Sequence, residues 1–306
     1  MVRSVTLSIA RGFAMGAADI VPGVSGGTIA LIFGIYERLI ASIRAGSSAL
    51  GHLMRADLAG TKRWLDEVEW AFILALGGGI LLAIASLARL LETLLREQAV
   101  LMAAMFLGLV AGSIVITWSL LRHKTLNRAL ILVGVGLAVF VLLGLRGGTT
   151  EDSVSQITDP TLWAFFGAGA IAICAMILPG ISGSFLLVIM GMYGPVLGAV
   201  TDRDVVSLGV FTVGAVIGLA LFSQLLHKAL TMYHDAVLAA LIGIMAGSLR
   251  VLWPWPLGVD STVIGAPDSQ IIGSIVVAAV AFVLVILIAR VALRLEEYDV
   301  VATDTS

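Results

Sequence analysis

No charged residue occurs between Asp159 and Asp202. As a single α-helix this stretch would measure about 63 Å, twice the roughly 30 Å hydrocarbon core of a bilayer. It must double back, and PGISGSF, residues 179–185, marks the place, because proline and glycine are the residues least suited to a helix interior. The same text recurs early in the chain as PGVSGGT, residues 22–28. Residues 11–22 are too few for a comfortable crossing, so a turn inside the membrane is expected there as well.

The remaining sequence agrees with a membrane location. Of 306 residues, 59% are hydrophobic and only 12% charged, whereas about a quarter are charged in a soluble domain. Mean hydropathy is +1.08. Uncharged runs at 98–121, 205–226 and 269–289 are long enough to cross a bilayer, and 71–88 and 130–145 are shorter candidates. A net charge of −2 gives no basic bias toward nucleic acid, and no nucleic-acid partner is expected. Four histidines and one cysteine exclude a Cys/His metal cluster or a disulfide framework, so neither a metal nor a cofactor is expected. Cys174, in an apolar run, reads as core. The six tryptophans fall near segment ends, as interfacial belts require. Asp19 and the PG turn stand where a signal-peptide cleavage site would be, so the N-terminus is expected to be retained.

Laying the two PG segments over one another matches Pro22, Gly23, Ser25, Gly26, Ile32, Gly34 and Tyr36 with Pro179, Gly180, Ser182, Gly183, Ile189, Gly191 and Tyr193. A second block agrees in the same order: Gly108, Ala111, Gly112, Ser113 and Trp118 match Gly243, Ala246, Gly247, Ser248 and Trp253. This is an internal duplication. The expected fold is an all-α polytopic membrane protein of two inverted-topology repeats, each a re-entrant helical hairpin plus three transmembrane helices. Residues 1–150 form the first repeat, with its hairpin at about 5–42 and spans at about 70–90, 98–121 and 129–145. Residues 151–306 form the second, with its hairpin at about 161–200 and spans at about 205–227, 236–253 and 270–290. Arg38, Arg44, Arg55, Lys62 and Arg63, then Arg122, Lys124 and Arg128, then Lys228, Arg290 and Arg294 mark cytoplasmic loops and a cytoplasmic C-terminus. The acid-bearing loops 146–160 and 253–268 read as external. An odd number of crossings per half inverts the second half, an arrangement found mainly in transporters.

Non-helical backbone survives at membrane depth only beside protein or a watery cavity. Pro22 and Gly23, like Pro179 and Gly180, supply the turn, and Ser25 can cap the outgoing helix. The first amides of that helix come from Gly26, Gly27 and Thr28. Free amides, glycines that admit a ligand and neighbouring hydroxyls make an anion seat, repeated at Ser182, Gly183 and Ser184. The alternative is close packing of two hairpins through small residues. The anion seat is favoured because duplicated half-helix starts lie where transporter sites form. No GxxxxGK is present, so this is not a P-loop.

The halves differ in charge. Asp19 precedes the first turn, whereas its aligned partner is Met176. Intramembrane acids are costly and functional as a rule, which suits proton or ion coupling; capping of local backbone is the competing role. Arg250 aligns with Val115 and suits a bidentate grip on phosphate, or a position snorkelling to the outer interface. Glu37 and Arg38 read as a solvated helix end, and Tyr36 and Tyr193 as belt residues by default, with lining of the cavity mouth as the alternative. His227 and His234 fall in an expected short cytoplasmic loop, with no catalytic role.

The stretches GFAMGAADIVPGVSGGTIALIFGIYERLI, CAMILPGISGSFLLVIMGMYGPV and AGSLRVLWPW resemble the polyprenyl-phosphate (undecaprenyl-phosphate) transporter family of bacterial and archaeal membranes, long known as a domain of unknown function. The resemblance covers nearly the whole chain. It implies a flippase that returns the lipid-carrier monophosphate from the outer to the cytoplasmic leaflet for cell-envelope synthesis. The pattern carries onto Asp19, Pro22, Gly23, Ser25, Gly26, Gly27 and Thr28, and onto Pro179, Gly180, Ser182, Gly183 and Ser184. Gln224 stands where the resemblance leads one to expect a basic residue, which leaves Arg250 as the phosphate cation. The bilayer and a polyprenyl phosphate are the expected partners, and the sequence leaves open whether the chain forms a homo-oligomer. An intramembrane lipid pyrophosphatase and a transporter of a small soluble anion are the alternatives. The former lacks a base, since no histidine, paired acids or metal constellation accompanies Ser25 or Ser182.

Overall fold

The structure is a computed structural model that describes residues 2–20, 25–145, 155–257 and 261–304, excepting the side chains of 2–4 and 291–304. Pro22, Gly23 and the boundary stretch 146–154 lie outside the described residues. The described chain is helical: α1 Val2–Asp19, α2 Gly26–Ile32, α3 Tyr36–Met54, α4 Leu58–Asp66, α5 Trp70–Glu97, α6 Ala99–Ser119, α7 Leu126–Leu145, α8 Leu162–Ile177, α9 Gly183–Ile189, α10 Tyr193–Thr201, α11 Val205–Ser248 and α12 Ile271–Asp304. The fold is that of an all-α polytopic membrane protein.

Among the described residues five helices are long and apolar enough to cross a membrane: α5, α6, α7, α11 and the Ile271–Arg290 part of α12. The 44 residues of α11 would extend about 66 Å, so it holds two crossings rather than one. The division falls at Tyr233, whose φ of −134° and ψ of 41° break the helix. Residues 227–234, expected as a short loop, are instead helical apart from this one position. A run without glycine or proline offers nothing else to stop a helix.

Local chemistry starts and stops these elements as the sequence dictates. Asp57, Thr161 and Asp204 cap α4, α8 and α11 by accepting from amides in the first turn. The short helices α2 and α9 both end on a left-handed glycine, Gly34 at φ 67° and Gly191 at φ 72°. The next residue in each case donates back to the same helix, Ile35 to the Ala30 carbonyl and Met192 to the Leu187 carbonyl, at 3.0 and 2.9 Å. Beyond these stops α3 and α10 open on the aligned tyrosines, and α10 leaves α9 at a bend of 109°.

Aligned glycines also perform the same packing in both halves. Gly12 and Gly79 press α1 onto α5, and their matches Gly169 and Gly214 press α8 onto the first part of α11. In each case an added Cβ would collide with the neighbouring backbone. Gly108 and Gly112 admit α12 against α6, while Gly243 and Gly247 admit α7 against the second part of α11. Apolar surface gains nothing by leaving lipid for another helix, so close approach through small residues supplies the attraction. The outward faces carry Leu74, Leu81, Leu137, Leu142 and Ile272, all more than half exposed, as a lipid-facing surface requires. The deepest core gathers Tyr36, Ile40, Val110, Ile242 and Met245 at the junction of α3, α6 and α11. A smaller cluster of Phe165, Ala168, Leu187 and Met192 lies under α8–α10.

Candidate functional site at the hairpin tips

The start of α2 lies against the end of α8, and the first half supplies hydrogen bonds that the second half's break leaves open. Ser25 Oγ donates toward the carbonyl of Leu178 at 3.2 Å, with that of Met176 at 3.4 Å. The Tyr36 hydroxyl donates to the Ile177 carbonyl at 3.2 Å, and Thr28 Oγ1 accepts from the Gly180 amide at 3.0 Å. Gly27 makes the approach possible, since a Cβ there would lie 2.8 Å from the Ile177 oxygen. Ser25, Thr28, Tyr36 and Pro179 are buried. Each such bond contributes about 1 kcal/mol, and leaving one buried partner unpaired costs about 1–3 kcal/mol. Tyr36, expected in an interfacial belt, is thus a core residue, because its ring fills the central cluster and its hydroxyl finds a carbonyl there.

At the start of α2 every amide has a partner. Asp19 Oδ1 accepts from the Gly26 amide at 2.6 Å, Ser25 Oγ from Gly27 at 3.1 Å, and the Ser25 carbonyl from Thr28 at 2.9 Å. Asp19 therefore sits where an external anion would sit. Gly26 is required here, because a Cβ would fall 2.6 Å from the Asp19 carboxylate.

The start of α9 is built differently. Ser182 takes the capping position without a side-chain capping bond. Its hydroxyl pairs with that of Ser184 at 2.8 Å. The place of the acid is held by Met176, half exposed, whose Cγ and Sδ lie over Gly183. Gly180, at φ 85°, turns the chain against Met245 and Ser248 of α11, too close for any side chain.

A cavity of about 510 Å³ adjoins both tips. Asp19, Ile20 and Ser25 reach it from one side, and Ser182, Gly183 and Ser184 from the other. Ile80 and Ile84 of α5, Ile173 and Met176 of α8, and Phe211 of α11 make its apolar walls. Among the described lining residues Asp19 is the only ionisable one. A larger, more open groove of about 730 Å³ lies by the 156–161 segment, α10 and the start of α11, but it presents Asp159, Asp202 and Asp204 and no basic side chain, which does not suit an anion.

Arg250 does not line this cavity. Its Nε donates to the Thr262 carbonyl at 2.9 Å, Nη1 to the Phe140 carbonyl at 3.4 Å, and its guanidinium lies 4.7 Å from the Phe140 ring centroid. It joins the ends of α7 and α11, with Gly144 leaving it room. One cluster escaped the sequence. At the kink in α11, buried Asp235 accepts from the backbone amides of Arg122 and His123 at 3.1 and 2.9 Å. His234 bridges Asp235 at 3.1 Å to Glu37 at 2.8 Å. Apart from the neighbours His234 and Asp235, these partners are more than 110 residues apart in sequence, so no local spacing could reveal the cluster.

Comparison with known proteins converges on one assignment. A polyprenyl-phosphate transporter of Vibrio cholerae is 43% identical over 249 residues, covering 80% of this chain and 76% of that protein. A polyprenyl-phosphate transporter of Staphylococcus aureus is 29% identical over 258 residues, covering 81% of this chain and 86% of that one. No solved structure matches the chain significantly. The undecaprenyl phosphate translocase-like family matches residues 15–270, a stretch that holds both hairpin tips and the cavity between them, and the chain belongs to that family.

Proposed function

We propose that this protein is a flippase that returns a polyprenyl monophosphate, undecaprenyl phosphate in bacteria, from the outer to the cytoplasmic leaflet. It is a transporter rather than an enzyme, as its relatives are named. The observation that carries the reading is the tip cavity, which combines serine hydroxyls with isoleucine walls. A lipid phosphate needs that pairing, whereas a soluble anion has no use for an apolar wall. A volume of about 510 Å³ holds a phosphate and the first isoprene units, in the range of an ordinary ligand pocket. The rest of the tail stays in lipid.

In this proposal the phosphate meets Ser182, Gly183 and Ser184 first, since among the described residues the two serine hydroxyls are bonded to each other. Ser25, Gly26, Gly27 and Thr28 become available when the two tips part. Arg250 stands two residues beyond Ser248, which the second tip touches, and exchanges its carbonyl partners for phosphate when the outer side opens. Two inverted repeats, rocking about the tips, alternate the access; the matched glycine contacts of the two halves support that duplication. The Lys/Arg-bearing loops support a multi-pass protein of the cytoplasmic membrane with both termini inside. Asp19 is the residue assigned to ion coupling.

The test is a leaflet-resolved assay of labelled undecaprenyl phosphate in proteoliposomes. Wild-type protein moves the label, while Ser25→Ala and Arg250→Ala move it more slowly at equal folded protein. Wild-type rates in both variants would remove these residues from the site, and no movement by the wild type would sink the function.

A further inference from the structure

We infer that the carrier phosphate enters the tip cavity only together with a proton on Asp19, so that each lipid moved takes one proton with it in the same direction. The inference rests on the function proposed above and goes further by naming the coupling ion and its sense.

The argument starts from charge. The substrate head is an anion, and the only ionisable side chain among the described lining residues is an acid. The walls are isoleucine, alanine, methionine and phenylalanine, so charges there are poorly screened and two like charges repel strongly. A buried anion without a partner is costly, and a second one beside it more so. With Arg250 held by the Thr262 and Phe140 carbonyls and outside the cavity lining, no cation on the described parts of the surrounding elements supplies compensation. α2 and α9 contain no ionisable residue, and α5 has none from Trp70 to Ala88. On α8 there is only Cys174, whose sulfur lies 3.7 Å from the Gly218 carbonyl. α11 has no ionisable residue from Val205 to Leu226, and the Tyr36 hydroxyl is bonded to Ile177. The nearest cation along α1, Arg11, lies two turns before Asp19, about 12 Å away by helical rise, and is not among the lining residues.

The empty state solves its own charge problem, because the Asp19 carboxylate accepts from the Gly26 amide at 2.6 Å. When phosphate arrives, a proton on Asp19 removes the repulsion and turns the carboxyl from an acceptor into an O–H donor to a phosphate oxygen. The proton comes from water on the side where the lipid loads and leaves on the side where it is released. Reformation of the Asp19–Gly26 bond then expels the next anion.

The experiment uses full-length protein in detergent with a polyprenyl phosphate monomethyl ester, a probe that is a monoanion throughout about pH 5 to pH 9, so that only the protein titrates. Wild-type affinity falls about tenfold per pH unit once Asp19 ionises. Asp19→Asn binds with the wild type's low-pH affinity at every pH, and Asp19→Glu keeps the slope. A flat wild-type profile, an equal slope in Asp19→Asn, or affinity that follows sodium at constant pH would overturn the inference. Calorimetry of the wild type in two buffers of different ionisation enthalpy needs no variant: above the Asp19 titration, one proton is taken up per probe bound, and uptake of none overturns the inference. Failure of the wild type to bind the ester or undecaprenyl phosphate at any pH would instead sink the parent function.

Discussion

The two hairpin tips carry nearly the same text and end in opposite states. At the first, Asp19, Ser25 and the Ser25 carbonyl occupy the amides of Gly26, Gly27 and Thr28, and the hydroxyls of Ser25 and Thr28 reach across to the other half. At the second, Ser182 makes no side-chain capping bond, its hydroxyl pairs with that of Ser184, and Met176 replaces the acid. One tip has its helix-start amides capped. The other, without a side-chain cap, is the open one, and both border the cavity. The recurring motif thus diverges through a few changed residues, Asp19 against Met176 and Thr28 against Phe185 among them, since a carboxylate satisfies amides that a thioether cannot.

The strongest challenge to this contrast is Gly180→Ala. A Cβ there meets Met245 and Ser248 at a positive φ, so a loss of about 3 kcal/mol is expected, combining strain and overpacking, and thermal denaturation in detergent reads it. A variant as stable as wild type would show that the tips are not tightly joined. Thr28→Val is next: it strips the buried Gly180 amide of its partner and lowers stability by about 1–3 kcal/mol, while Thr28→Ser restores it. Equal stability of the valine and serine forms would mean that the cross-tip bond contributes nothing.

The paired variant Ser182→Ala, Ser184→Ala probes the open side. Transport of labelled undecaprenyl phosphate is expected to fall about tenfold, or about 1.4 kcal/mol, with folding stability changed by less than about 0.5 kcal/mol. Loss of stability with intact transport would reverse the roles of the two tips. The smallest effect separates acid chemistry at the tips from acid chemistry of the fold. The Arg38 guanidinium hydrogen-bonds Glu69 at the start of α5 and holds its carboxyl below the usual range. A depressed folded value stabilises above the ordinary glutamate range and is lost as pH falls through the lowered one. Half exposed, the pair contributes under about 1 kcal/mol. Glu69→Gln should flatten that part of the acid-stability profile, measured by melting temperature against pH, and leave the pH dependence of probe binding untouched.

Legibility followed the range of the interactions. The membrane location, the segment breaks and the aligned glycines are written in consecutive residues, so hydropathy and turn chemistry exposed them. The left-handed stops at Gly34 and Gly191 are of this kind. Tyr36 is not: a tyrosine at a segment end looks the same whether it faces headgroups or a carbonyl 141 positions away. Arg250 shows the same limit. Its charge was visible, but the carbonyls of Thr262 and Phe140 that hold it belong to a loop and to another helix. The Glu37, His234 and Asp235 cluster was invisible for that reason too.

By itself the sequence determined that this chain lives in a bilayer, that it carries one motif twice, and that each copy of the motif holds a proline–glycine pair, because solvation and backbone propensity act on neighbouring residues. Only the tertiary structure chose how the two interruptions meet beside one cavity, the first with its helix-start amides capped and the second without a side-chain cap. That choice rests on hydrogen bonds such as Ser25 to Leu178 and Thr28 to Gly180, between groups 153 and 152 positions apart, whose meeting depends on how whole helices pack.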